Sequence, residues 1–379
     1  MQRSTSHILT THTGSLPRSG ALQELLRQRE ERQSYNPEVM AAGIRTGVAE
    51  IVQRQIRIGL DVINDGEQGR SQYAAYVKER LTGFEGEQLV RARPRLGESD
   101  FPSYRGTHQS STNLPQPACT GPIAWKNFAA VQEDIQLLKA AVGEQQVAEV
   151  FMTAASPGVV ANFLPNAYYP SEEAYLYALA AVMQAEYRAI VQAGFLLQID
   201  CPDLAMTRVT QFSNLSTEQF VEVVALHVDV LNLALAGLPP ERLRLHLCWG
   251  NYEGPHHHDV PLQMILPHVL RAHPLGLSFE GANPRHAHEW KVWQEVRLPE
   301  DKVLIPGVLD TTTNFIEHPE LVAQRIIRYA EVVGRERVIA STDCGFGTSA
   351  WGRKVHADIA WAKLQAMVEG ARLASDYLW

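Results

Sequence analysis

The chain has few cysteines, no long apolar run and no excess of positive charge. Its 379 residues include four cysteines, Cys119, Cys201, Cys248 and Cys344, which are too few and too scattered for a disulfide framework. No apolar run approaches the roughly 20 residues that a membrane span needs. The formal net charge is −8 at pH 7, so no overall positive field attracts nucleic acid or an anionic membrane.

Two further signals are missing near the N-terminus. The first residues lead into a strand-like segment without the apolar core of a signal peptide, and this, together with free thiols, predicts a cytoplasmic protein. The glycine-rich fingerprint of a dinucleotide-binding sheet is also missing, because Thr13–Pro17 has one glycine and ends in proline. A Rossmann sheet therefore explains the strand pattern less well than the closed barrel described next.

Strand-like and helix-like segments alternate along most of the chain. Helix starts are marked by Asn36-Pro37-Glu38 and by the capping box at Ser216, and further helices are predicted at 19–34, 171–194, 261–270, 318–334 and 355–373. Alternation of this kind favours a parallel sheet, and eight units favour a closed α/β barrel of the (β/α)8 TIM type, spanning residues 1–379 as one domain. The eight predicted strands are 8–15, 61–67, 150–155, 195–200, 244–250, 276–281, 302–310 and 337–341.

One stretch breaks the alternation. Residues 71–122 show no clean period and are rich in Pro, Gly, Arg and Ser. We interpret them as an irregular insertion after the second strand, lying near one mouth of the barrel. Trp125 follows directly; it either lines the pocket or packs in the core.

The strand Arg244–Gly250 carries two metal-binding side chains on one face. Strand alternation places His246 and Cys248 together, opposite the leucines. Imidazole and thiolate ligands suit zinc, but two ligands do not make a site. Glu280 and Cys344 lie at the ends of two later predicted strands, so we predict a catalytic zinc site built from these four residues. The neighbouring run His256-His257-His258 is interpreted as a solvated loop.

Other polar residues also end predicted strands, where barrel enzymes place their chemistry. Glu67 and Asp200 are candidate substrate-binding acids, with pairing to an arginine inside the barrel as the alternative. Asp310 and His12 are candidate catalytic residues. The alternative for Asp310 is a cap of the turn that follows, and His12 is also a candidate for substrate contact. The candidates Ser15, Arg18 and Arg70 lie at or just beyond strand ends.

A zinc ion bound by two thiolates, a carboxylate and an imidazole carries net negative charge, which makes it poor at polarising water. It is better suited to hold and ionise a thiol, whose free pKa is about 8.5. The predicted chemistry is therefore attack of a thiol substrate, bound as zinc thiolate, on an alkyl carbon.

The chain resembles the catalytic domain of the cobalamin-independent methionine synthase family. The resemblance implies a zinc TIM barrel that transfers a methyl group to a thiol such as homocysteine. It implies that His246, Cys248, Glu280 and Cys344 bind the zinc. It also implies that Ser15, Glu67 and Asp200 hold homocysteine, the acids taking its ammonium. The segments that carry it are Thr13–Pro17, Asp61–Glu67, Gln198–Asp200, His246–Cys248, Phe279-Glu280, Pro306–Asp310 and Asp343–Gly345.

Three departures leave the methyl donor open. Full-length members carry an additional N-terminal barrel that helps bind polyglutamyl folate, and we expect no room for it here. Cys201 replaces an acid of the family, and Thr311-Thr312-Thr313 replace a segment with a histidine. The donor is folate, a corrinoid protein or another small molecule. The oligomeric state, monomer or homo-oligomer, is undecided.

Two other functions stay open at this point. An epoxyalkane:coenzyme M transferase, a similar short zinc enzyme, would need Arg18 or Arg70 for the substrate sulfonate, whereas Glu67 and Asp200 favour an amino-acid thiol. A non-enzymatic, zinc-bound scaffold is the third alternative. It is disfavoured because structural zinc sites use closely spaced ligand pairs.

Overall fold

The computed structural model describes residues 1–31, 33–74, 76–89, 95–107, 115–350 and 355–379. Within these ranges, eight parallel strands form one barrel-like sheet in the order β1-β10-β9-β8-β7-β6-β5-β2, and two antiparallel strands form a separate hairpin. The predicted α/β barrel is confirmed. The strands are β1 (Leu9–Thr10), β2 (Val62–Ile63), β3 (Gly86–Leu89), β4 (Pro115–Ala118), β5 (Glu149–Ala155), β6 (Leu196–Asp200), β7 (Leu243–Leu247), β8 (Gly276–Phe279), β9 (Val303–Leu309) and β10 (Ile339–Thr342).

Side chains connect the two strands at the ends of this order. The backbone N–H and the hydroxyl of Thr10 both donate to the Asp61 carboxylate, at 2.8 and 2.7 Å, and Thr11 Oγ1 donates to the Val62 carbonyl at 3.0 Å. β1 and β2 are only two residues long, shorter than predicted, because backbone groups a few residues further on, such as Thr13 N, bind side chains instead of a neighbouring strand. Asn64 N, for example, donates to Gln55 Oε1.

Helices cover the outside of the sheet. Predicted starts are confirmed where the caps form: Asn36 Oδ1 accepts from Glu38 N at 2.9 Å, and Ser216 and Gln219 make a reciprocal capping box. The helices are α1 (Gly20–Glu30), α2 (Pro37–Ile58), α3 (Val77–Arg80), α4 (Pro102–Thr107), α5 (Ala129–Val142), α6 (Pro157–Phe163), α7 (Glu172–Gln192), α8 (Thr217–Ala234), α9 (Leu262–Val269), α10 (Val292–Glu295), α11 (Pro319–Val333) and α12 (Ala357–Leu378).

The side chains of the barrel strands alternate between an apolar outer face and an inner face that carries polar groups. Leu245, Leu247 and Leu277 are buried in the main apolar core with side chains of the surrounding helices. The intervening residues of the same strands, among them Arg244 and His246, are buried on the other face. The interior is therefore polar and charged around Arg244 and His246. Val303 and Ile305 face the same interior and form a separate apolar cluster with Leu9 and Ile339.

The insertion has more structure than predicted. Gly86–Leu89 pairs with Pro115–Ala118 as an antiparallel hairpin, and a 3-10 turn covers Leu96–Asp100. The hairpin escapes prediction because prolines interrupt one of its strands and hide the strand alternation. Residues 75, 90–94 and 108–114 of the predicted insertion lie outside the described residues.

In the part of the chain that the structure describes, no helix is both long enough and apolar enough to cross a membrane.

Candidate zinc and thiol-substrate site

Strand register places three polar side chains next to one another. Asp200 of β6 pairs with His246 of β7, and His246 pairs with Ser278 of β8. Partners in parallel strands point to the same face, so these side chains converge at the carboxyl ends of the strands. One inward-facing position earlier, Gln198 pairs with Arg244, which forms the floor beneath them.

His246 presents one ring nitrogen that has no partner. Its Nδ1 lies 3.1 Å from Ser278 Oγ, which orients the ring. Its Nε2 is buried and makes no hydrogen bond with any described residue. Burial, reinforced by the charge of Arg244, lowers the pKa of His246 to about 3, so the ring is the neutral species that metals bind.

The thiols of Cys248 and Cys344 lie beside that nitrogen. One ligand atom from each of His246, Cys248 and Cys344 lies within 4.8 Å of the others, and all three residues are buried. A hydrogen bond between the two thiols, followed by burial, raises the pKa of Cys248 well above its usual value. Tetrahedral zinc with bonds of about 2.3 Å to sulfur separates its ligand atoms by about 3.8 Å, so this spacing suits one shared ion.

Glu280 is not among the residues whose ligand atoms lie within 4.8 Å of one another, so its place as a fourth ligand stays a prediction. Its Oε1 accepts from Trp249 N at 2.9 Å and its Oε2 accepts from Asn283 Nδ2 at 2.7 Å. These two donors hold the carboxylate at the edge of the group. Burial, with the charge of Cys248 next, raises the pKa of Glu280 well above its usual value.

The donor set fits zinc. Two thiols and a neutral imidazole match its preferred ligands, and the unpartnered Nε2 of His246 is a buried acceptor that a cation would satisfy. Zinc held by these residues would supply a Lewis acid able to bind and ionise a substrate thiol. His246, Cys248 and Cys344 would hold the ion, and Glu280 stays a predicted fourth ligand.

Two carboxylates face the same cavity, and neither forms an ion pair with a described residue. Glu67 Oε1 accepts from Thr153 Oγ1 at 3.0 Å, and its Oε2 has no hydrogen-bond partner among the described residues. Asp200 Oδ1 accepts from Gln198 Nε2 at 2.8 Å. Burial raises the pKa of both acids, and the charge of Glu67 raises that of Asp200 further. The arrangement is suited to an incoming ammonium.

The backbone at Glu67 is strained. Its φ of 55° is the one positive value among described non-glycine residues. Such a conformation costs about 1–3 kcal/mol and persists where the surroundings impose it, often at functional sites. Gly14 also has a positive φ, of 143°, and a Cβ there would come within 2.9 Å of Glu67 Oε1. The turn after β1 therefore needs a glycine, because a side chain there would collide with the carboxylate of Glu67.

The acids, the thiols and Ser15 line one inner cavity of about 200 Å³. Ser15 Oγ accepts from Gly347 N at 3.3 Å, which ties the loop after β1 to the loop after β10. Apolar side chains of Tyr73, Phe163 and Met206 and the guanidinium of Arg95 also border the cavity. The sequence pointed to none of these four, because they lie in the insertion or in segments without a regular period.

Asp310 lies elsewhere. Its two oxygens accept from the backbone N–H groups of Thr312 and Thr313, at 3.0 and 2.9 Å, so it caps the turn that follows β9. It also borders a larger outer cavity of about 590 Å³, which is lined in part by Glu280 and by Cys344 of the thiol and imidazole cluster. The capping alternative is confirmed, and a catalytic role stays a prediction.

His12 and Trp125 are not among the residues that line the inner cavity, and Trp125 packs against the core, which was the alternative for it. His12 Nε2 is 2.8 Å from Gln55 Oε1, and its Nδ1 accepts from Gly14 N. Burial lowers its pKa to about 3, so it is a neutral structural histidine. Trp125 is only half-buried, donates from Nε1 to the Val182 carbonyl at 2.9 Å and packs against the ring of Phe128.

Arg18 and Arg70 are also committed to the protein itself. Arg18 donates to the carbonyls of Gly347 and Glu67, at 2.7 and 2.6 Å, and Arg70 donates to the hydroxyl and carbonyl of Thr153. Both are buried. They hold the loop that carries Glu67 and are not among the residues that line the inner cavity, so direct substrate contact stays an untested prediction for both.

One residue that sequence reasoning passed over organises the loops around the thiol and imidazole cluster. Asp343 Oδ1 accepts from the N–H groups of Gly281 and Ala282, each at 2.8 Å, and its Oδ2 accepts from Asn283 N. Burial raises its pKa to about 6. Its position beside Cys344 in the sequence was the available signal, because it links the chain segments of Glu280 and Cys344.

The thiol and imidazole cluster lies at the carboxyl ends of the strands of an α/β barrel, which is where barrel enzymes carry out their chemistry. A family model described as cobalamin-independent synthase, catalytic domain, matches residues 8–93 and 169–373, more than half of the chain. The chain belongs to this family.

Named relatives align over nearly the whole chain. Methionine synthases of Sulfolobus acidocaldarius and Saccharolobus solfataricus are each 24% identical over 372 residues, which cover 97% of this chain and 93% and 95% of theirs. Two solved structures share the fold. A B12-independent methionine synthase from Shewanella sp. W3-18-1, in complex with selenomethionine, has a TM-score of 0.75 at 20% identity, covering 98% of this chain and 99% of that one. A putative vitamin-B12-independent methionine synthase from Listeria monocytogenes has a TM-score of 0.65 at 21% identity, with the same coverage.

Proposed function

We propose that the protein transfers a methyl group from a small donor to the thiol of homocysteine, or of a closely similar amino-acid thiol, with zinc as its cofactor. Membership of the family and the names of the relatives support methyl transfer to homocysteine. One observation carries the proposal: a sulfur-rich ligand cluster faces the same small cavity as two carboxylates, neither of which forms an ion pair with a described residue. A thiol and an ammonium on one small molecule would match both.

The residues of the chain orient the substrate before any bond changes. Glu67 and Asp200 would accept hydrogen bonds from its ammonium, which brings a positive charge into direct contact with these buried acids. Ser15 and Arg95 line the same cavity and are suited to its carboxylate. This orientation directs the substrate sulfur toward His246 and the two thiols.

Zinc bound there would lower the pKa of the substrate thiol, so that the thiolate nucleophile is present at neutral pH. Ser278 keeps the ring of His246 in place, and Asp343 fixes the loop of Glu280, so the ligand atoms need little rearrangement. Tyr73, Phe163 and Met206 reduce the access of water, which would otherwise solvate the sulfur anion.

The donor would enter from the outer cavity, which meets the inner one at Gly250, Asn251 and Cys344. The sulfur then forms a bond to the methyl carbon while the bond from that carbon to the donor breaks, and the electron pair leaves with the donor. Asp310 borders this side and is the predicted group closest to the donor. The family description as cobalamin-independent lends no support to a corrinoid partner.

The epoxyalkane:coenzyme M alternative fits the geometry less well. Arg18 and Arg70 are both engaged in hydrogen bonds within the protein, and two carboxylates in the cavity would repel a sulfonate. A scaffold without activity is disfavoured by membership of a family of synthases.

The test is an incubation of zinc-loaded protein with homocysteine or coenzyme M, each against methylfolate, methylcobalamin and a small epoxide, with the thioether product measured by mass spectrometry. We expect methionine from homocysteine and no product from coenzyme M. A thioether of coenzyme M instead would overturn the proposal, as would unchanged homocysteine with every donor.

A pair of cysteine variants tests the role of the metal. Cys248→Ser should lose bound zinc and activity together, because it removes a thiolate ligand. Cys119→Ser is the matched control, since Cys119 is also buried and free but its Sγ contacts the Gly121 carbonyl. Cys119→Ser should keep both the bound zinc and the activity. Full activity of a zinc-free Cys248→Ser protein would contradict a role for the ion in the reaction.

A further inference from the structure

A second cluster of metal-binding side chains lies outside the inner cavity. His257 Nε2 and His258 Nε2 lie 2.8 and 2.7 Å from the same oxygen, Oδ2 of Asp100. One ligand atom from each of these residues lies within 4.8 Å of the others, and all three are exposed. Asp100 comes from the insertion and the histidines from the loop after β7, so segments far apart in sequence supply the three ligands.

The neighbouring histidine does not belong to this cluster. His256 turns inward, with its Nδ1 2.6 Å from Asp259 Oδ2 and its Nε2 2.7 Å from the Tyr252 carbonyl. Both of its nitrogens are therefore satisfied by the protein. His257 and His258 turn outward together and each has a second ring nitrogen for which the structure gives no protein hydrogen bond among the described residues.

We propose that Asp100, His257 and His258 bind a divalent transition-metal ion, distinct from the ion of the inner cavity. Two imidazoles and one carboxylate are ligands that zinc, nickel and copper accept, and solvent exposure leaves room for water to complete the coordination. The ion would replace the two hydrogen bonds that now hold both rings on one carboxylate oxygen. Because the site has no thiolate, it should bind zinc more weakly than the cysteine cluster does.

The position of the ion gives it a structural consequence. Phe101, next to Asp100, and His257 both border the outer cavity through which the donor is proposed to enter. An ion here would join the Leu96–Asp100 turn of the insertion to the loop after β7, at the rim of that cavity. The site itself does not depend on the proposed methyl transfer, since its occupancy is measured without any substrate.

The test is a zinc titration of protein whose inner site is already loaded, by calorimetry with metal analysis. We expect one further ion per chain. His257→Ala and His258→Ala should each weaken its binding at least about tenfold, and the double variant should not bind it. His273→Ala, which removes a histidine elsewhere on the surface, should change nothing. Cys248→Ser should lose the inner ion and keep this one.

Two results would overturn the proposal. One is the absence of a further ion in the wild type, and the other is a further ion that persists in the double variant. Asp100→Asn serves as a second variant that removes the shared charge at an exposed position, and thermal melting of each protein shows whether it is folded.

Discussion

Substitution of Glu67 by glutamine separates substrate binding from metal binding. Glutamine has nearly the same shape and can still accept from Thr153 Oγ1, which lies 3.0 Å from the carboxylate. It removes the charge that the substrate ammonium is proposed to meet. The zinc content should be unchanged, because Glu67 is not one of the three residues of the thiol and imidazole cluster.

The size of the effect follows from the buried position of the acid. Glu67 is 2% exposed, and a hydrogen bond to a charged group contributes about 1.5–3 kcal/mol. The loss corresponds to about a 10- to 150-fold increase in KM for homocysteine at 1.36 kcal/mol per factor of ten. The free energy of unfolding should not fall, although substrate binding weakens. Burial raises the pKa of Glu67 above its unfolded value, so its charge disfavours folding as the pH rises past about 4.5, and the variant should be no less stable at neutral pH.

The assay is steady-state kinetics on zinc-loaded protein, with metal analysis and denaturant unfolding in the absence of substrate. Glu186→Gln is the matched control, a buried acid that accepts from Arg80 and Tyr76 at 3.1 Å away from the cavity. It should leave KM unchanged, because Glu186 is not among the residues that line the inner cavity. An unaltered KM in Glu67→Gln, or a loss of zinc, would refute the assignment of the ammonium to this residue.

Three other predictions follow from single contacts. Gly14→Ala should cost about 1–3 kcal/mol of stability and weaken homocysteine binding, because the new Cβ collides with Glu67. Gly20→Ala, with open space around it, should change neither stability nor binding. Unfolding and binding assays measure the two effects. Burial lowers the pKa of His286, but its hydrogen bonds with carboxylates outweigh burial and raise the pKa to about 9. The free energy of unfolding should therefore fall by about 3 kcal/mol between pH 6.5 and 9. In His286→Gln the fall over the same pH range should be smaller by about 3 kcal/mol. Arg95→Met should raise KM about two- to tenfold through loss of contact with the substrate carboxylate, and an unchanged KM would exclude that contact.

The barrel and most of its helices can be predicted from the sequence because these depend on local patterns. Alternation within β7 is enough to separate Leu245 from His246, and the Ser216 capping box marks the start of α8 correctly. The hairpin of Gly86–Leu89 with Pro115–Ala118 cannot be found this way, because its partners are far apart and prolines mask the alternation.

The convergence of His246, Cys248 and Cys344 follows from the rule that the strand ends of a barrel meet at one mouth. That rule predicts which end of the barrel carries the site, but not where each side chain points. It therefore assigns substrate contact to Arg18 and Arg70, which the structure shows bonded to backbone carbonyls, and it misses Arg95 and Asp343.

By itself, the sequence determined the order of strands and helices and the kinds of ligand available, because period, caps and residue chemistry are properties of short stretches. Only the tertiary structure decided which polar groups are satisfied and which are left without a partner. Among the described residues, Glu67 Oε2 and His246 Nε2 make no hydrogen bond, whereas Glu280 and His12 are occupied. That difference depends on contacts between segments distant in the chain, and it is what identifies the groups that remain available to a substrate and a metal ion.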